Sequence, residues 1–166
     1  IGARRITIST VGIVDRFADL AGEKMEFNLA ISLHAPDEEI RKKIVPGVRP
    51  GDFDRLLDAA KAYAEKTGRQ VSLEYVLLRG LNDAPEHAEA LARRVRGFKP
   101  FVNLIPWNPV EGMPFKKPEA SRTARFLKVL QDAGVPAFVR RRRGAAIEGA
   151  CGQLRMGKGE QENEGT

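Results

Sequence analysis

Short runs of β-branched and aliphatic residues alternate with helical repeats along most of this chain, and that alternation limits its fold more than any other feature. Ile6-Thr7-Ile8-Ser9-Thr10 is rich in β-branched residues and reads as a strand, broken at Gly12. Phe27 to Leu33, Val71 to Leu78, Phe101 to Pro106 and Ala137 to Arg141 read as four more.

Helical patterns fill the gaps. A short one is expected around Arg16 to Leu20, and Asp37 should cap another that sets Ile40 and Ile44 on one face. Asp52 is read as the cap of the clearest helix, where Phe53, Leu56, Leu57, Ala60, Tyr63 and Ala64 follow the i, i+3, i+4 rhythm up to Gly68. Asn82-Asp83-Ala84-Pro85 should open the next, with Ala88, Leu91, Ala92 and Val95 inward and His87 outward. The last runs from Ser121 to Ala133 with Leu127 and Leu130 inward. No internal repeat is seen, and residues 157–166 have nothing apolar to bury and are expected to be disordered.

Strands alternating with helices imply right-handed crossovers and a parallel sheet, hence the α/β class. An open doubly wound sheet and an arc of a (β/α) barrel both satisfy the pattern, and both gather their chemistry at the carboxyl ends of the strands.

Composition removes whole classes. With 42% hydrophobic and 30% charged residues the chain as a whole is not disordered. No run approaches the roughly 20 apolar residues that span a bilayer, so no membrane is expected. The single cysteine excludes a disulfide framework or a self-contained cysteine metal site. The net charge of +6 leans weakly toward nucleic acid. The chain opens Ile-Gly-Ala-Arg-Arg, without methionine or a signal-peptide pattern. It is therefore expected to be the downstream piece of a longer, cytoplasmic polypeptide.

The strand ends carry the candidate chemistry. Ser9 ends the first strand, Ser32-Leu33-His34 the second and Pro106-Trp107-Asn108-Pro109 the fourth. Hydroxyls, an imidazole and a carboxamide suit a polar ligand such as a nucleoside or amino acid. Each taken alone is also readable as a turn or capping residue, and Trp107 as a core residue. Arg140, Arg141, Arg142 and Arg143 are too many guanidinium groups to bury unpaired. They either meet phosphate or lie on a solvated edge paired with carboxylates. Cys151, between Ala150 and Gly152, is either a small buried hydrophobe or a reachable thiol favoured as thiolate by nearby arginines.

Laid in order, several segments resemble the C-terminal half of the RlmN family. They are Ile-Thr-Ile-Ser-Thr (6–10), Ala-Ile-Ser-Leu-His-Ala-Pro (30–36), Ile-Arg-Lys-Lys-Ile-Val-Pro (40–46) and Asn-Asp-Ala-Pro-Glu-His-Ala (82–88). Val-Asn-Leu-Ile-Pro-Trp-Asn-Pro (102–109), Arg-Arg-Gly (142–144) and Ala-Cys-Gly-Gln-Leu (150–154) complete the set. The likeness covers about residues 4–156, expected to be the C-terminal portion of a radical-SAM partial barrel.

The resemblance implies a radical S-adenosylmethionine enzyme that methylates C2 of adenine in 23S rRNA and often in tRNA. It implies that Ser9, Ser32, Leu33, His34 and Asn108 hold S-adenosylmethionine and that Cys151 carries the methyl group as S-methylcysteine. The arginines 140–143 would help to hold RNA. It further implies a [4Fe-4S] cluster and an electron donor in the complete enzyme, acting as a monomer. The family's Cys-x-x-x-Cys-x-x-Cys cluster motif is absent here, so this chain alone is expected to be inactive. A non-catalytic RNA-binding remnant of the same fold, or an unrelated α/β small-molecule enzyme, are the competing readings.

Overall fold

A computed structural model describes residues 6–12, 15–22, 27–98 and 100–140. The elements follow the order β1 (Thr7–Thr10), α1 (Asp15–Gly22), β2 (Asn28–Ser32), α2 (Glu38–Ile44), α3 (Asp52–Thr67), β3 (Val71–Leu77), α4 (Pro85–Arg94), β4 (Phe101–Pro106), α5 (Ala120–Asp132) and β5 (Ala137–Val139). The five strands form one sheet in the order β1-β2-β3-β4-β5, every pair parallel.

Sequential order resolves the choice between the two architectures. Each crossover steps to the next strand in the same direction, so right-handed connections put every helix on one face. A doubly wound sheet would reverse direction part-way. The chain is therefore an arc of a barrel wall. Leu29, Ile31, Leu73, Tyr75, Leu77, Val102 and Leu104 point under the helices and are buried with Phe53, Leu56, Leu91, Phe126 and Leu130. The rings of Tyr75 and Phe126 lie 5.1 Å apart.

The opposite face is only half-buried, which the strict alternation along β3 displays. A parallel sheet covered on both sides would be apolar at nearly every position. Here the register sets Ser9, Ala30, Ser72 and Phe101 in one row across the sheet. Ser32, Glu74, Asn103 and Phe138 form the next row toward the carboxyl ends.

Some local expectations need correction and others refinement. Asp52 does not cap α3: Gly51 does, at φ 80°, while the Asp52 carboxylate accepts from the Arg49 amide at 2.9 Å. The fully buried side chain of α2 is Arg41, with Ile40 and Ile44 half-buried. In α5 Phe126 joins Leu130 in the core while Leu127 is only half-buried. His87 does not simply face solvent, since its Nδ1 accepts from the Ala84 amide at 3.3 Å and helps close the start of α4. Asp37 caps α2 as expected, its carboxylate accepting from the Ile40 amide at 2.9 Å. The 157–166 tail lies outside the described residues.

Gly12, just past β1, adopts φ +103°, and a Cβ there would sit 2.8 Å from Leu56 Cδ1. Strain and contact act together, because Leu56 is buried and has little room to move. Gly12→Ala is expected to lower stability by about 2 kcal/mol. Urea unfolding checks this, and an unchanged midpoint would contradict the tight approach.

Candidate functional site

The site begins where β2 ends. Leu33 is wholly buried, and its amide and that of His34 both donate to the Glu74 carbonyl, at 3.1 and 3.2 Å. His34 then turns with φ 59°, the single non-glycine residue with positive φ among the described residues. A bulky side chain in that region is sparsely populated and needs surroundings that hold it there.

Those surroundings are polar and local. The His34 carbonyl accepts from Asn82 Nδ2 at 2.8 Å, and the same Nδ2 donates to the Val76 carbonyl at 2.6 Å. Asn82 Oδ1 accepts from the Leu78 amide at 2.7 Å, and the Tyr75 hydroxyl donates to the Asn82 carbonyl at 2.9 Å. On the other side Arg41 donates to the carbonyls of Leu33 (3.2 Å), Ser32 (3.3 Å) and Val11 (2.6 Å). The turn is thus satisfied by the protein itself, which leaves the Ser32 hydroxyl and the His34 imidazole edge for a ligand.

The imidazole has a defined character. The Val76 amide donates to His34 Nδ1 at 3.2 Å, so the neutral ring carries its proton on Nε2. Burial, and then the charge of Arg41, lower its pKa from 6.5 to about 4 against an opposing pull from the Glu74 backbone. At neutral pH His34 is an uncharged donor, suited to a carboxylate, carbonyl or ether oxygen.

Below it, in the row with Ser32, Glu74 is held on the open face. Asn103 Nδ2 donates to one carboxylate oxygen at 2.7 Å and Ser72 Oγ to the other at 3.3 Å. A half-buried carboxylate there accepts from hydroxyls or an ammonium group. Asn103 Oδ1 and Trp107 Nε1 are closed off from solvent with no hydrogen-bond partner among the described residues. Buried polar atoms are seldom left so, and both await a further polar group. Trp107 is fixed from two sides, its amide donating to the Leu77 carbonyl at 3.1 Å and its ring edge-on to Phe115 at 5.7 Å.

The sequence-based candidates distribute unevenly. Ser32 and His34 sit together at the β2 end. Ser9 is exposed on the open face of β1, and Asn108 is exposed beyond β4. Leu33 offers no free edge, since its side chain is in the core and its amide and carbonyl are both bonded. Arg140 is exposed just past the end of β5 at Val139, its amide still donating to the Leu104 carbonyl at 2.8 Å. Arg141, Arg142, Arg143 and Cys151 lie outside the described residues. Sequence reasoning missed Arg41, Asn82, Glu74 and Asn103. Glu74 had a visible signal, a charged residue midway along an apolar strand, and Arg41 and Asn82 lay in segments noted without a role.

Among the described residues no group of three or more His, Cys, Asp or Glu could hold a metal ion, and no helix is long and apolar enough to cross a membrane.

No family model matches the chain. A probable dual-specificity RNA methyltransferase RlmN of Nostoc punctiforme is 45% identical over 158 residues, covering 95% of this chain and 43% of the relative. Its counterpart in Roseiflexus castenholzii is 48% identical, over 95% of this chain and 42% of the relative. The crystal structure of a radical SAM methyltransferase from Sphaerobacter thermophilus superposes with a TM-score of 0.87 at 46% identity, over 92% of this chain and 45% of that one. A domain of pyruvate-formate lyase-activating enzyme from Bacteroides vulgatus matches at TM-score 0.65 and 16% identity, a likeness of fold alone. The chain spans less than half the length of the curated relatives it matches.

Proposed function

This chain belongs to the RlmN family, and we propose that it supplies cofactor-holding strand ends and the methyl-carrying cysteine of a radical S-adenosylmethionine RNA methyltransferase. The observation that carries the reading is the locked Ser32–His34 turn, which presents a hydroxyl and a neutral N–H donor at the carboxyl end of a barrel strand.

The residues present fit S-adenosylmethionine. Its carboxylate, ammonium, ribose hydroxyls and adenine need donors and acceptors together. The donors are Ser9, Ser32, His34 and Asn108, the last also an acceptor. The orphaned Asn103 Oδ1 and Trp107 Nε1 add one of each. Leu33 serves through its place in the turn. When bound, the cofactor supplies an electrophilic methyl group and, on one-electron reduction, the power to abstract hydrogen. The residues do not fit an iron–sulfur cluster, because the chain has one cysteine. Cluster ligands would come from the portion of the family's length that this chain does not span, and the chain alone would not turn over.

Cys151 is assigned as the methyl carrier, forming S-methylcysteine. Only its thiolate can accept a methyl cation equivalent, and the run Arg140–Arg143 would favour that form. An electron-poor carbon such as C2 of adenine in 23S rRNA or tRNA cannot take such a methyl directly, which gives an intermediate carrier its purpose. The same arginines suit RNA phosphates.

Calorimetric titration of the chain with S-adenosylmethionine should show one site per chain, weakened at least tenfold by combining Ser32→Ala with His34→Asn. The absence of binding by the unaltered chain would remove the reading. In a polypeptide carrying the rest of the family's length, Cys151→Ala should abolish RNA methylation and leave cofactor affinity within twofold. Methylation at the unaltered rate would exclude Cys151 as carrier.

A further inference from the structure

We propose that Arg41 is the positioning residue of this site: its guanidinium holds the Ser32–His34 turn in the form that binds S-adenosylmethionine. The proposal rests on the cofactor reading given above and adds a residue that touches no ligand.

Arg41 is 3% exposed on a helix whose neighbouring basic residues, Lys42 and Lys43, are exposed. Sinking a guanidinium is unfavourable unless its donors are used. Among the described residues no carboxylate hydrogen-bonds it, and Asp52 provides only a nearby opposing charge. Among the described residues its hydrogen bonds all go to backbone carbonyls, those of Val11, Ser32 and Leu33.

The placement of those carbonyls points to the site rather than to the core. Val11 follows β1 immediately and Ser32–Leu33 ends β2, so one side chain ties the carboxyl ends of the two neighbouring strands that carry Ser9 and Ser32. It also fixes the peptide planes just before His34, the residue held at positive φ. Arginine suits the task because its planar fork can address several carbonyls at once, whereas lysine is a single flexible point charge. A residue needed only for packing would be met by an aliphatic side chain of similar length, without burying a charge.

The test compares Arg41→Met and Arg41→Lys in this chain, with three readouts. They are the urea midpoint, amide exchange at Leu33 and His34, and the dissociation constant for S-adenosylmethionine under conditions where each variant is folded. Arg41→Met should speed exchange at Leu33 and His34 at least tenfold over Leu73 and Leu104, and weaken binding at least 30-fold. Arg41→Lys, which keeps a donor for some of the carbonyls, should recover binding to within fivefold. A lowered midpoint with unchanged exchange and affinity in the folded variant would make Arg41 merely structural and overturn the proposal. If Arg41→Met does not fold, Arg41→Gln is measured in its place, and failure of both to fold would overturn it equally. An unaltered chain that binds no S-adenosylmethionine sinks the cofactor reading and the ligand half of the proposal. The exchange data then decide separately whether Arg41 holds the turn.

Discussion

Asn82→Ala should lower the stability of the chain by about 4 kcal/mol, because three backbone groups, one buried and two half-buried, lose their partners together. Asn82 is wholly buried, and its carboxamide is used from both ends: Nδ2 on the carbonyls of His34 and Val76, Oδ1 on the Leu78 amide. Each orphaned buried group costs about 1–3 kcal/mol, and small relaxations or an entering water recover part of the sum. Asn82→Asp separates the two ends of the side chain. It keeps the acceptor for Leu78 but turns a carboxylate oxygen toward two carbonyls, so it should be destabilised at pH 7 and recover as acid protonates that oxygen. Urea unfolding of both variants measures this. A loss below about 1 kcal/mol for Asn82→Ala would mean that the carboxamide network does not hold the turn.

The same network shows what the sequence could and could not reveal. Period-two and period-3.6 patterns found all five strands and their helices, because burial on one face leaves an unambiguous trace in Val71–Leu77 and in Phe53–Tyr63. Asp37 was legible as a cap because capping is local chemistry. Asp52 misled because Gly51, free to adopt positive φ, takes the cap position one residue earlier. In α5 the inward pair is Phe126 and Leu130, spaced i, i+4, and Leu127 lies about 100° further round the helix. Strand order could not be read from period at all, since an arc and a doubly wound sheet have the same local pattern. Arg41 was hidden for a related reason: an arginine in a short basic helix reads as solvent-facing until the carbonyls of two other segments are placed beside it. The candidates Ser32 and His34 were singled out by type and position, but the turn that carries them is held by Arg41, Asn82 and the β3 backbone.

His34 should make the chain lose stability as pH falls from about 6.5 to about 4, by roughly 3 kcal/mol across the window. The sign follows from proton counting. In the unfolded chain an imidazole binds its proton near 6.5, and in the folded chain near 4. Between these values the unfolded state holds more protons, so stability rises with pH. The contribution is fully retained above 6.5 and fully lost below 4. Carboxylates titrate in the lower part of the same range, so a difference measurement is needed. His34→Asn removes the imidazole and keeps a residue that tolerates positive φ better than most. From pH 7.5 to pH 5 the unaltered chain should lose about 2 kcal/mol more than this variant in urea unfolding. Equal losses would mean that His34 is solvated and chargeable at neutral pH, and the neutral Nε2–H donor would go with it. Binding supplies an independent check, because in the folded state the ring stays neutral down to about 4. Affinity for S-adenosylmethionine should therefore stay level between pH 7.5 and 5 while stability falls. That divergence separates a buried neutral donor from a surface histidine, for which both quantities would turn near 6.5.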